Sequence, residues 1–243
     1  MLQFDNLTLG YDRHPALHHL HGHVAPGSLL AVVGPNGGGK STLLKGILGQ
    51  LPPLTGKVVC GVPRQAIGYL PQQSRIDRSF PISVQETVAM GLWRHCGLFG
   101  RLPRAQRLRV DAALERVGLE RLANANLDAL SGGQLQRALF ARLWLQEAQL
   151  MLLDEPFSAI DNQTAEDLLD LLEEWQAQGK TVLAVLHDLE QVRRHFPEAL
   201  LLARECIAWG PTATVLTDAN LHRVRTLHAG PDPLAAFCSR TPE

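Results

Sequence analysis

Residues 34–42 read "GPNGGGKST" and stand between the apolar run "SLLAVV" (28–33) and the stretch "STLLKGILGQL" (41–51). The first run reads as a buried strand and the second as the helix after it, stopped by Pro52 and Pro53. The nonapeptide fits G-x-x-x-x-G-K-[ST], a pattern that works only between a strand and a helix. Gly34, Pro35, Asn36, Gly37, Gly38 and Gly39 supply a loop whose glycines let several N–H groups point inward at phosphate oxygens. The helix opening at Ser41 and Thr42 adds its N-terminal partial positive charge. Lys40 is expected to reach the β- and γ-phosphates of ATP, and the Ser41 hydroxyl to ligate Mg²⁺.

The rest of the chain alternates around that unit. "KVVCGV" and "AIGYL" read as short strands, "QLMLLDEP" and "TVLAVLHD" as buried ones, and "ALLLARECIAWG" as a final hairpin. In "NQTAEDLLDLLEEWQAQG", Leu168, Leu169, Leu172 and Trp175 share one helical face, and Gly179 supplies the stop. From about 82 to 147 the pattern turns helical, which predicts a helical insertion in an α/β chain. The tail "HAGPDPLAAFCSRTPE" is expected to be weakly ordered. With 45% hydrophobic residues in 243, the chain can bury a large core. Its net charge of −1 gives no basic excess, so no nucleic acid partner is expected. It opens "MLQFDNLTLGYD", without an apolar signal segment, and no apolar run approaches the roughly 18 to 20 residues that span a bilayer. Cys60, Cys96, Cys206 and Cys238 form no C-x-x-C pair, so reduced thiols are the expectation.

Two carboxylates end the strand "LMLLDEP". Asp154 is expected to hold Mg²⁺ through its shell, and Glu155 to orient and deprotonate the attacking water. His187 ends a third apolar strand, as befits a sheet that binds ligands beyond its carboxyl edge. Farther from the phosphate loop, "ALSGGQLQRALFARL" (129–143) begins a second glycine-rich helix. The N–H groups of Ser131, Gly132 and Gly133 form another anion site there, with Ser131 also an N-cap. One chain has difficulty bringing both sites to the same γ-phosphate. Two chains head to tail can do so, burying two ATP molecules in a two-fold dimer.

"LSGGQ" (130–134), with the phosphate loop before it and "LLDEP" after it, resembles the ATP-binding subunit of an ABC transporter over nearly the whole chain. The resemblance implies a P-loop NTPase (RecA-like) core with an antiparallel β subdomain and an inserted α-helical subdomain. It would place the core and β subdomain at 1–81 and 148–216, the helical subdomain at 82–147, and a C-terminal helix and tail at 217–243. It implies that Tyr11 stacks on adenine and that Ser131, Gly132, Gly133 and Gln134 contact nucleotide. Gln72 resembles the glutamine that contacts Mg²⁺ and water and couples to the membrane subunit, with adjacent Gln73 the alternative. "SAID" (158–161) resembles a motif usually written SALD, with Asp161 matching and Ile160 departing. His187 resembles the histidine that senses the γ-phosphate.

A chain with no membrane span needs integral membrane permease subunits to perform transport. The resemblance implies a peripheral place on the cytoplasmic face of the cell membrane and, indirectly, a secreted solute-binding protein. "FPISVQETVAMG" resembles the subfamily serving metal importers, with zinc the first expectation and manganese or iron next. Import of a metal chelate, siderophore, haem or another cargo is the alternative. A soluble ABC-type ATPase acting on nucleic acid or ribosomes is the reading from another class. Of ten histidines, five (His14, His18, His19, His21, His23) fall in one segment. On a regular strand His19, His21 and His23 would share a face able to bind Zn²⁺, against a plain solvated face.

Overall fold

The computed structural model describes residues 1–12, 14–72, 77–96, 102–158 and 160–229. In chain order the elements are β1 (Leu2–Tyr11), β2 (His14–Val24), β3 (Leu29–Val33), α1 (Lys40–Ile47), β4 (Thr55–Cys60), β5 (Ile67–Leu70), α2 (Val84–Ala89), α3 (Trp93–Cys96), α4 (Arg104–Arg116), α5 (Gly132–Leu145), β6 (Leu150–Asp154), α6 (Asn162–Ala177), β7 (Thr181–Val185), α7 (Leu189–His195), β8 (Glu198–Leu202), β9 (Cys206–Pro211), α8 (Thr212–Val215) and α9 (Asp218–Ala229).

A six-stranded sheet runs β5-β6-β7-β3-β8-β9, and a three-stranded antiparallel sheet runs β2-β1-β4. The larger sheet is parallel except for β9, which returns antiparallel beside β8. Strands β3, β6 and β7 are buried along their whole length, as apolar runs without polar alternation require when both faces are covered. Alternation divides their side chains between two cores. Leu30, Val32, Leu152 and Leu183 meet Leu43 and Leu44 of α1 and the apolar face of the small sheet. Ala31, Val33, Met151, Leu153 and Ala184 face the other way, toward Leu168, Leu172 and Trp175 of α6 and the helices between β5 and β6. Of those helices, α2, α4 and α5 pack on one another through Val88, Val110, Leu114, Leu135 and Leu139. The strand order sets the ends of β6, β7 and β3 side by side at the carboxyl edge.

Two local differences from the sequence reading have physical causes. The first helix ends at Ile47 rather than running to the prolines, because Gly49 takes a left-handed φ of 64° just beyond it. The histidine strand is irregular: His19 sits at φ 47°, and Leu17 and Leu20, three apart, are both buried. The inserted residue falls between Leu17 and Leu20, so alternation breaks at His18 and His19, while His21 and His23 stay exposed to either side of Gly22. The His19 ring lies 2.6 Å from Asn6 Oδ1, whereas His21 lies 3.9 Å from Asp5. Among the described residues no group of three His, Cys, Asp or Glu side chains is placed to hold a metal ion. Gln73, Ala159 of "SAID", Cys238 and the tail from residue 230 lie outside the described residues.

Candidate nucleotide site

The phosphate loop leaves β3 at Gly34 and enters α1 at Lys40. Gly34 has φ 145°, and a Cβ there would lie 1.9 Å from the Leu202 carbonyl oxygen, so the loop can press against β8 only with glycine. Gly39, the N-cap of α1, has φ 91°. Lys40 turns back over the loop, its Nζ donating to the carbonyls of Gly34 at 2.8 Å and Pro35 at 2.9 Å. Burial pushes the Lys40 ammonium below its ordinary pKa, opposed by the carboxylates of Glu155 and Asp154. An ammonium that donates to neutral carbonyls gains further from an anionic phosphate, which makes stronger charge-assisted bonds.

The carboxyl ends of β6 and β7 complete the edge. Ser41 Oγ donates to Asp154 Oδ1 at 2.9 Å, and Asp154 is 1% exposed. A serine hydroxyl beside a carboxylate is a hard oxygen donor pair, and both residues fit Mg²⁺, which favours one or two carboxylates completed by substrate phosphates. Glu155 has φ 53°, with its N–H donating to the Val185 carbonyl at 3.2 Å. Its carboxylate is gripped from both sides. Gln72 Nε2 donates to Oε2 at 2.7 Å, and His187 Nε2 lies 2.7 Å from Oε1. A carboxylate only accepts, so His187 carries its proton on Nε2. A left-handed φ on a non-glycine residue at the site is strain held by its surroundings.

The remaining residues fall into two other places. Tyr11 is half-exposed at the end of β1, and its hydroxyl accepts from Lys45 Nζ at 3.0 Å, with that ammonium 5.1 Å from the ring centroid. Lys45 was not singled out in the sequence; its pairing with Tyr11 spans 34 residues and leaves no local signal. Ser131 caps α5 in a reciprocal box: its Oγ accepts from Gln134 N at 3.2 Å, and Gln134 Oε1 accepts from Ser131 N at 2.9 Å. Gly132 and Gly133 form the first helical turn behind it. Asp161 caps α6, with Oδ1 accepting from Thr164 N at 2.9 Å. Those bonds from Thr164, its backbone and then its hydroxyl, hold the Asp161 carboxyl below its usual range.

A glycine loop and lysine at the end of one buried parallel strand, facing an Asp-Glu pair at the end of another, define a P-loop nucleoside triphosphatase. The sequence profile of the ABC transporter family matches residues 17–158. The chain belongs to that family and is an ABC-type ATPase, hydrolysing ATP to ADP and phosphate. It is 40% identical over 223 residues to the manganese transport system ATP-binding protein MntB of Halalkalibacterium halodurans, covering 89% of this chain and 88% of the relative. It is 38% identical over 227 residues to the zinc transport system ATP-binding protein TroB of Treponema pallidum, covering 91% and 85%. A dimeric post-hydrolysis ATP-binding cassette bound to ADP and Pi superposes with TM-score 0.76 at 27% identity, covering 87% of this chain and 99% of that one. Among the described residues no helix is long and apolar enough to cross a membrane.

Proposed function

We propose that this chain energises an importer for a transition-metal ion, zinc or manganese, as an ATP-dependent head-to-tail dimer beneath integral membrane permease subunits. Residues 1–81 and 148–216 act as the nucleotide-binding core with its β subdomain, 82–147 as the helical subdomain, and 217–243 as the C-terminal helix and tail. The observation that carries the reading is the convergence of Gln72 and His187 on the two oxygens of Glu155, beside the Ser41–Asp154 pair. Tyr11 stacks on adenine, and Gly34 to Thr42 with Lys40 cradle the phosphates. Ser131 to Gln134 of the second chain close over the γ-phosphate, with Asp161 beside them. Ser41 and Asp154, together with Gln72, would hold Mg²⁺, which would supply charge neutralisation to the triphosphate. Glu155 takes a proton from water as the water oxygen bonds to the γ-phosphorus. The bond from that phosphorus to the bridging oxygen breaks, and ADP leaves with the electron pair. His187 then donates toward the γ-phosphate instead of Glu155.

The metal cargo is supported by similarity to a manganese and a zinc transport protein at comparable identity, which leaves the two metals side by side. A secreted solute-binding protein delivers the ion to the permease, and the chain sits on the cytoplasmic face of the membrane. The test is uptake of radiolabelled zinc, manganese and iron by cells carrying this chain with its permease. Lys40→Ala is expected to abolish accumulation of zinc or manganese; unchanged accumulation of every metal would overturn the cargo.

A further inference from the structure

We propose that Arg137 is a positioning residue for ATP hydrolysis: it ties the Ser131 helix to the Asp161 carboxylate at the head of α6. The part of the site this chain lends to a partner is thereby coupled to its own Glu155. The inference rests on the head-to-tail reading above.

Arg137 lies on the second turn of α5, behind Ser131. Its Nη2 donates to Thr164 Oγ1 at 3.1 Å and to Asp167 Oδ2 at 3.1 Å. Thr164 Oγ1 in turn donates to Asp161 Oδ2 at 2.8 Å. The direction of this path is fixed by chemistry. A guanidinium only donates and a carboxylate only accepts, so the threonine hydroxyl must accept from one and donate to the other. Thr164 is 5% exposed, so the middle of the path is shielded from water that would otherwise substitute for either partner. Gly133 adds a second approach: a Cβ there would stand 3.6 Å from Asp161 Oδ2 and from Thr164. Upstream, the Ser158 N–H and hydroxyl both donate to the Glu155 carbonyl, at 3.2 Å and 3.0 Å. Ser158 is therefore tied to the Glu155 backbone, and Asp161 is tied through Thr164 to Arg137.

The α5–α6 interface does not depend on Arg137 for its assembly. Phe140 and Trp175 stack across it with centroids 5.8 Å apart and planes 18° apart, both fully buried. Loss of Arg137 thus removes the polar path while the apolar packing persists. A shift of the Ser131 helix against a partner's nucleotide moves Arg137, and through the Thr164 hydroxyl it moves Asp161, six residues beyond Glu155 in the chain.

The experiment is steady-state ATPase of the full chain against ATP concentration for Arg137→Ala, Thr164→Val, Thr164→Ser, the Arg137→Ala/Thr164→Val double variant and Asp167→Asn. Arg137→Ala and Thr164→Val are each expected to lower kcat about ten-fold with KM for ATP little changed, since misplacement without lost binding acts on the chemical step. The double variant should be no worse than the weaker single variant, because both cut one path. Thr164→Ser, which keeps the hydroxyl, should restore kcat, and Asp167→Asn should stay near wild type. Wild-type kcat in Thr164→Val, or a Thr164→Ser variant as slow as Thr164→Val, overturns the proposal. ATP-dependent dimerisation of Glu155→Gln, measured in parallel with Arg137 intact, separates the two readings. If that dimer forms while Arg137→Ala hydrolyses normally, the coupling alone fails; if it does not form, the shared site fails and the coupling with it.

Discussion

The Ser41 hydroxyl lies 2.9 Å from the Asp154 carboxylate, although 113 residues separate them. Two oxygen ligands from the ends of two neighbouring elements thus meet at one point of the carboxyl edge. Ser41→Ala removes one donor and leaves the phosphate loop's backbone in place. The Mg²⁺ concentration for half-maximal ATP hydrolysis should rise by at least about ten-fold, while nucleotide binding without Mg²⁺ changes little. Titrating Mg²⁺ into the ATPase assay checks this, and chelation with EDTA should stop hydrolysis in wild type. An unchanged Mg²⁺ requirement in Ser41→Ala would place the ion elsewhere.

Glu155 is held by Gln72 and His187, and its replacement by glutamine separates binding from chemistry. The amide can still hydrogen-bond water but cannot accept its proton, so hydrolysis should fall at least about a hundred-fold. ATP binding should persist, since Lys40 and the loop are untouched. Removal of the negative charge also lessens repulsion of the γ-phosphate. Fluorescent ATP binding and phosphate release on the same preparation measure both. Phosphate release near the wild-type rate would show that another group takes the proton.

Gly34 tests the loop's packing. A Cβ would meet the Leu202 carbonyl at 1.9 Å, and φ 145° is strained for any L side chain. Gly34→Ala should cost about 2 kcal/mol or more of folding stability and weaken ATP binding together. Denaturant unfolding with and without ATP reads both quantities. Wild-type stability would mean that the loop does not pack against β8 as described.

Much of the fold was legible because its strands are buried on both faces. "LLAVV", "LMLLD" and "TVLAV" carry no polar alternation, and each reads directly as a central parallel strand. The Ser131 helix start was legible because a capping box is local, set by Ser131 and Gln134 three residues apart. The end of α1 is not marked by Pro52 and Pro53, because Gly49 stops the helix before the chain reaches them. The irregularity at His19 could not be seen, since a bulge is fixed by cross-strand register rather than by composition. The same holds for the site's long-range contacts. Nothing local in the sequence tells that Lys45 meets Tyr11, or that Arg137 reaches Thr164.

The shared site itself is tested by where two lesions are placed. Lys40→Ala spoils the loop side of a site, and Ser131→Arg spoils the helix side. In a heterodimer of one doubly substituted chain and one wild-type chain, each composite site receives one lesion. With one lesion in each chain, both fall in the same site and the other is untouched. The measurement is the number of ATP molecules retained per heterodimer in a background of Glu155→Gln. The account predicts one retained ATP when the lesions are split between chains and none when one chain carries both; equal retention in the two arrangements would contradict it.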